Sequence, residues 1–227
     1  MPPRIRKYTG EHIDVTYDAQ RCIHVAECIR RLPTVFDKSK RPWVQTDQAQ
    51  AEQVAATILA CPSGALHYQR KDDSTKDDSA KDGRAAEPIP AHNTIRLVKN
   101  GPLYVRGDFS IVNSAGEFVL KETRAALCRC GASANKPFCD NAHRTIGFQA
   151  PATVSEPQTI TEATDDGTLR IETTRNGPLH ITGNFTVLND SGEPIWQGTE
   201  AWFCRCGGSA NRLFCDSTHN KIGFVAE

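Results

Sequence analysis

The sequence has no apolar run near the ~18 residues that a membrane-spanning helix needs, so it is not expected to enter a bilayer. It has no net charge either: 27 Lys and Arg stand against 27 Asp and Glu. That balance leaves no overall field to attract nucleic acid or an anionic membrane. Aromatic residues are sparse at 7%. A Gly-rich phosphate loop, a nucleophile elbow and paired carboxylates in a recognisable frame are all missing, so the chain does not read as an enzyme. Its start, "MPPRIRKYTG", is basic with no apolar stretch behind it, which excludes a secretory signal, and a transit peptide would be longer and richer in Ser.

What the chain has in excess is cysteine. Nine cysteines are many for 227 residues, and the count is odd, whereas a secreted disulfide scaffold favours an even one. Clustered cysteines in a reducing compartment more often hold metal than bridge one another. The expected location is the cytoplasm, with an organellar matrix as the alternative.

Residues 71 to 91, "KDDSTKDDSAKDGRAAEPIPA", contain almost no apolar side chain and no aromatic one. Such a stretch cannot bury enough surface to offset its ordering entropy and reads as a disordered linker. It separates an N-terminal domain, 1 to 70, from a C-terminal region that is an internal duplication. "NGPLYVRGDFSIVNSAGE" at 100 to 117 answers "NGPLHITGNFTVLNDSGE" at 176 to 193, and "IGF" closes each copy at 146 to 148 and 222 to 224. The units are 92 to 150 and 151 to 227. Alternating apolar and polar residues in "LYVRGDFSIVN" and "LHITGNFTVLN", flanked by turn residues, predict strands. Each unit should be a short meander ending in a cysteine-bearing loop. Neither unit can bury its own sheet face, which predicts that the two pack face to face about a pseudo-twofold axis.

Those loops read "CRCGASANKPFCDNAH" from 128 to 143 and "CRCGGSANRLFCDSTH" from 204 to 219. Cys128 and Cys130 can reach one centre from an extended loop. Cys139 and His143 are four apart, so a short helix starting near Asp140, with Asp140 as its cap, would turn both to one side. Cys204, Cys206, Cys215 and His219 repeat the set. A disulfide between Cys128 and Cys130 would be strained and would leave Cys139 idle. A Cys/His nucleophile needs one thiol and explains neither the others nor the repeat. An iron–sulfur cluster and a structural zinc ion both fit three Cys and one His, although Cys-x-Cys is uncommon at zinc.

The segments resemble the CDGSH iron–sulfur domain, or NEET family, with its pattern C-x-C-x2-[ST]-x3-P-x-C-D-G-[STA]-H. Cys128, Cys130, Ser133, Pro137, Cys139, Asp140, Ala142 and His143 fit, with Asn141 in place of Gly. Cys204, Cys206, Ser209, Cys215, Asp216, Thr218 and His219 fit, with Leu213 in place of Pro and Ser217 in place of Gly. The resemblance is to the tandem branch and implies a 2Fe-2S cluster in each copy. Two ferric ions, two sulfides and four thiolates carry a double negative charge, and exchanging one thiolate for neutral imidazole leaves a single one. Reduction then becomes easier than for an all-Cys cluster. Because imidazole must be neutral to ligate, acid should release these clusters from the histidine side.

The other three cysteines lie in "RCIHVAECIRRLPTVFD" and "ILACPSGALHY". Cys22, Cys28 and Cys61 trace the outline of a one-cluster bacterial ferredoxin in which Val25 stands where a central Cys is usual. The stretch 47 to 60 predicts a helix with Asp47 as N-cap, Ala51, Val54, Ala55 and Ile58 on one face, and Pro62 beyond its end. "CIHVAEC", "FD", "RPW" and "CPSGAL" resemble the divergent mono-cluster ferredoxin-like domain that accompanies CDGSH motifs in some bacterial proteins. That implies a 3Fe-4S cluster, or a 4Fe-4S cluster with one non-Cys ligand. His24 is the nearby candidate, set against a role as a surface histidine.

Trp43, Trp196 and Trp202 are expected to pack rather than bind. Arg129, Arg205, Lys136 and Arg212 are expected at solvated loop positions, and His12, His67, His92 and His180 suggest no second site. The expectation is an α+β protein: a ferredoxin-like domain, a flexible linker and a β-rich module of two CDGSH units with short cluster-binding helices. It would be a monomer with an internal pseudo-dimer, passing electrons to a redox partner protein or clusters to an apo acceptor. The alternatives are a zinc-stabilised interaction module and an electron-donating subunit of a separate oxidoreductase.

Overall fold

The computed structural model describes residues 5–71, 87–156 and 167–226. The chain divides into two compact units, Met1–Pro88 and Ile89–Glu227. Most of the stretch expected to be a linker, 72 to 86, lies outside the described residues.

In the first unit, β1 (Ile5–Tyr8), β2 (Ile13–Asp18) and β3 (Leu66–Arg70) form an antiparallel sheet in the order β1-β2-β3. Between β2 and β3 come α1 (Glu27–Arg31), a 3-10 turn (Thr46–Gln48) and α2 (Ala51–Leu59). Ala51, Val54, Ala55 and Ile58 are buried, as their spacing requires of one helical face, and meet Ile13, Val15, Phe36 and Leu66 in the core. The helix starts later than expected and Asp47 does not cap it. Gln50 and Gln53 form a reciprocal capping box instead. Asp47 sits in the 3-10 turn, where its carboxylate accepts a hydrogen bond from the Glu11 N–H at 2.7 Å.

The second unit repeats one pattern. Strands β4 (Thr94–Leu97), β5 (Leu103–Val112) and β6 (Phe118–Leu127) precede α3 (Ala142–Thr145). Strands β7 (Leu169–Thr173), β8 (Leu179–Leu188) and β9 (Pro194–Phe203) precede α4 (Thr218–Lys221). The copies share one hydrogen-bonded six-stranded sheet, so main-chain bonds join them in addition to side-chain packing. β6 runs along one edge of β5, while β4 and β7 divide the other edge. On β8 the arrangement recurs, with β9 on one edge and β7 and β4 on the other. The short strands β4 and β7 therefore lie between β5 and β8, where both their edges find partners.

The pairings between copies are reciprocal. Thr94 faces Thr186 and Ile95 faces Val187, just as Arg170 faces Ser110 and Ile171 faces Ile111. The handover from one neighbour to the next falls at register shifts between Arg106 and Phe109 and between Thr182 and Phe185. At the first shift the buried Asn93 side chain accepts from the Asp108 N–H at 2.9 Å. Its amide donates to the carbonyls of Gly167 at 2.9 Å and Asn184 at 3.1 Å, tying the copies together. Inward residues of both copies, among them Ile95, Phe109, Ile111, Ile171, Phe185 and Val187, make one common core. Two of its strands, β6 and β9, run directly into the two cysteine loops.

Candidate metal centres

At the end of β6 the chain turns into the loop 128–139 and returns to its own start. The Cys128 N–H donates to Pro137 O at 2.8 Å, and the Cys139 N–H donates to Ala126 O at 2.9 Å, so the first and third cysteines are held side by side. Ser133 pins the loop from inside: its hydroxyl donates to Phe138 O at 2.7 Å and accepts from the Asn135 N–H at 3.0 Å. The second copy repeats this, with Cys204 N–H to Leu213 O at 3.0 Å, Cys215 N–H to Trp202 O at 2.8 Å and Ser209 Oγ to Phe214 O at 2.7 Å. The peptides Lys136–Pro137 and Arg212–Leu213 are both cis, so Leu213 holds the place of the proline in the same backbone form.

Asp140 stands one residue outside its expected capping position. The residue before α3 is Asn141, in a left-handed conformation with φ of 73°, and Ser217 takes the same form before α4 with φ of 67°. These are the two positions where the resembled pattern has Gly, and the positive φ supplies the reason. Asp140 accepts from the N–H of Ala142 at 3.0 Å and of Ala134 at 2.8 Å, as Asp216 accepts from Thr218 at 3.0 Å and Ala210 at 2.8 Å. Burial works to raise the Asp140 carboxyl, but those N–H groups outweigh it and hold it below the ordinary range. The loop and the short helix are thereby locked to each other.

The donor atoms come together in twos. Cys128 Sγ lies 3.7 Å from Cys130 Sγ, and Cys139 Sγ lies 3.5 Å from His143 Nδ1. In the second copy the distances are 3.6 Å for Cys204 to Cys206 and 3.4 Å for Cys215 to His219. No three His, Cys, Asp or Glu side chains among the described residues converge as a site for one ion. All nine cysteines are free. The Cys128–Cys130 contact pulls the Cys128 thiol down to about 6 and pushes Cys130 up, while burial pushes Cys139 and Cys206 up to about 11. Main-chain N–H groups of Asn141, Gly208 and Ser217 point at Cys139, Cys206 and Cys215, each at 3.4 Å. Donors aimed at sulfur favour the thiolate that a metal requires. Burial lowers His143, which keeps its ring neutral and able to ligate. The donor set thus fits a thiolate-and-imidazole metal centre in each copy.

The two sites are not equally shielded. Cys128, Cys130, Cys139 and His143 are all buried, whereas Cys206, Cys215 and His219 are half-buried.

Arg129 and Arg205 are not solvated. They are 4% and 1% exposed. In an extended Cys-x-Cys stretch the middle side chain points away from its neighbours, and here that direction is inward. The Arg129 guanidinium donates to the carbonyls of Gly101 at 3.0 Å, Pro151 at 3.0 Å and Val98 at 2.6 Å. Arg205 donates to Gly177 at 3.0 Å and Thr174 at 2.6 Å. Phe148 lies beneath Arg129 of its own copy and Arg212 of the other; Phe224 is flanked in the same way by Arg205 and Lys136. Trp202 packs as expected, though near the surface. It is 45% exposed and stacks on His180, with ring centroids 3.8 Å apart.

In the N-terminal unit Cys22 follows β2, Cys28 lies in α1 and Cys61 follows α2, and all three line one hollow with Tyr17, His24 and Trp43. His24 Nδ1 is 3.6 Å from Cys22 Sγ. His24 and Ala26 both have positive φ, 53° and 61°, so the backbone between the cysteines is held in a left-handed form that only surrounding structure can sustain. Burial raises Cys28 to about 11. The three thiols thus border one hollow.

The fold and the donor sets define a metal-binding protein of thiolate-and-imidazole type. Residues 100–144 and 176–220 each match the family described as iron-binding zinc finger, CDGSH type, and residues 8–71 match the divergent 4Fe-4S mono-cluster family. The chain belongs to these iron–sulfur families as a tandem CDGSH protein with a mono-cluster domain ahead of the pair. Its first domain is similar to the protein YjdI of Escherichia coli K12, 39% identical over 66 residues that make up 29% of this chain and 87% of that protein. YjdI of Escherichia coli O157:H7 is similar to the same extent. No solved structure matches the chain. Among the described residues no helix is long and apolar enough to cross a membrane.

Proposed function

We propose that each CDGSH loop holds a 2Fe-2S cluster, through Cys128, Cys130, Cys139 and His143 in one copy and Cys204, Cys206, Cys215 and His219 in the other. The observation that carries this reading is the pairing of donors. One tetrahedral ion requires all four donors in one shell, whereas a two-iron centre takes them two to an iron, as the Cys–Cys and Cys–His contacts stand here. The reciprocal strand register supports a pseudo-twofold relation of the NEET kind between the copies. Cys22, Cys28 and Cys61 would hold a 3Fe-4S or 4Fe-4S cluster in a ferredoxin-like first domain, with His24 beside Cys22 as the nearest nitrogen donor.

When bound, such clusters take up and release single electrons. The protein's own residues do the rest: the serine and aspartate bonds fix each loop, the N–H groups aimed at sulfur stabilise thiolate, and burial keeps His143 neutral. The function we infer is electron transfer or redox-responsive cluster transfer, carried out by a cytoplasmic monomer that is not itself an enzyme. Its partner is a redox protein, an apo cluster acceptor or a separate oxidoreductase. Mixing the reduced holoprotein with an oxidised ferredoxin and, separately, with an apo-ferredoxin tests this. Electron transfer predicts reduction of the first with iron retained on the chain. Cluster transfer predicts iron and sulfide moving to the second, and neither event would contradict both forms of the proposal.

A further inference from the structure

A groove of about 750 Å3 opens on the N-terminal unit, apart from the cysteines. Its floor is aromatic. Trp43 stands edge-on to Tyr8 and Tyr17, with ring centroids 6.3 Å and 4.9 Å away and planes at 86° and 75°. Phe36 packs against the same indole at 6.0 Å, so the ring trio is backed by core and held in place. The expected packing role of Trp43 is thus met, and the residue lines the groove as well.

The rim is cationic. Arg6 lies on the same face of β1 as Tyr8 and pairs across the sheet with Tyr17. Lys38 and Arg41 come from a loop closed by the Asp37 N–H donating to Trp43 O at 2.8 Å. Arg41 is further fixed by donating to the carbonyls of Lys38 at 2.9 Å and Lys40 at 2.7 Å. Lys7 lines the groove too, but its ammonium lies 2.8 Å from the Asp14 carboxylate and is already neutralised. Among the described residues no Asp or Glu lines the groove, in a chain whose charges cancel overall.

A positive rim over a fixed aromatic floor selects a ligand with a flat π-system at one end and concentrated negative charge at the other. Guanidinium groups match phosphate oxygens in geometry, and ring edges and faces offer stacking to a heterocycle. The volume lies within the roughly 300–1,000 Å3 of small-molecule sites. An acidic protein surface would meet the cations but leave the concave floor unfilled. We propose that this groove binds a mononucleotide-class ligand, a heteroaromatic ring carrying a phosphate. Tyr17 and Trp43 also line the hollow of Cys22, Cys28 and Cys61, so the bound ring would lie one side-chain layer from those thiols.

Equilibrium dialysis of the full-length holoprotein against FMN and AMP tests the site, with riboflavin and inorganic phosphate as controls. The expected result is saturable binding of FMN or AMP at one per chain, with riboflavin at least about tenfold weaker than FMN and phosphate unable to displace either at equal concentration. The triple variant Arg6→Ser/Lys38→Ser/Arg41→Ser changes only exposed side chains, so it should keep its iron content while binding at least about tenfold more weakly. The proposal is overturned by any of four results: no saturation with either nucleotide, riboflavin binding as well as FMN, displacement by equimolar phosphate, or an unchanged affinity in the iron-replete triple variant.

Discussion

Gly131 lies so close to the main chain of Cys206 that a β-carbon on it would stand 2.4 Å from the Cys206 carbonyl oxygen, and Gly207 stands likewise 2.6 Å from that of Cys130. Each cysteine loop is laid flat against the ligand loop of the other copy. The two sites share a wall made of backbone.

Gly131→Ala and Gly207→Ala should therefore be costly. Each adds a clash with rigid backbone to the strain of a left-handed residue, φ being 80° and 81°. A loss of at least about 2 kcal/mol, or ~4–8 °C in Tm, is expected. Gly147→Ala is the control: φ is 64° but a β-carbon there meets nothing within 4 Å. It should lose only about 1 kcal/mol. Thermal melts of the three variants decide between clash and strain.

Arg129→Met keeps the bulk of the side chain and removes the donors to three carbonyls. The expected cost is about 3 kcal/mol in urea unfolding, with loss of visible absorption. Burial lowers Arg129 to about 10, which still leaves it charged at neutral pH. Arg129→Lys should recover less than half of the loss, because one ammonium cannot span three carbonyls. Full recovery by lysine would show that charge, not hydrogen bonding, is what matters.

On acidification, protons compete with metal for His143 and His219, so cluster absorption should fall as pH falls. The half-buried second site should bleach before the buried first one. His219→Cys removes the protonated nitrogen and should slow the early phase, leaving the late phase unchanged. Stopped-flow absorption after a pH jump reads both phases, and an early phase untouched by His219→Cys would mean that histidine is not the weak bond.

Asp14 lies between Lys7 at 2.8 Å and Lys71 at 2.9 Å. Burial works to raise its carboxyl, but the two ammonium groups outweigh burial and lower it. The folded unit thus binds this proton less readily than the unfolded chain. Its stabilisation is fully present above the unfolded pKa of about 4 and is lost as pH falls through the lower folded value. The lysines are 57% and 39% exposed, so screening limits the effect to about 1 kcal/mol. The gap in urea stability between the native chain and Asp14→Asn should be open at pH 7 and shut at about pH 2.

Much of this was legible in the sequence because it rests on local rules. Alternation marked 103–112 and 179–188 as strands, the burial face of α2 followed its spacing, and two ligand loops with the same Cys and His spacing stood out by repetition. Three features were not legible. The sharing of the β5 and β8 edges by β4 and β7 depends on long-range pairing that no local pattern encodes. The caps shifted for different reasons: Asp47 is engaged with the Glu11 N–H while Gln50 and Gln53 close a reciprocal box at the start of α2, and the left-handed backbone at Asn141 sets the start of α3 one residue past Asp140. Arg129 and Arg205 looked solvated because charge is usually outside. The signal that could have found them was their place between two cysteines that both turn one way, which leaves the arginine facing the other.

The central claim is that the paired donors each close around two irons and not around one ion. Iron, acid-labile sulfide and zinc measured on anaerobically purified Cys22→Ser/Cys28→Ser/Cys61→Ser protein test it most directly. The account predicts about four irons and four sulfides per chain, two of each per CDGSH loop, with negligible zinc. A colourless sample with about two zincs per chain and no labile sulfide would contradict it.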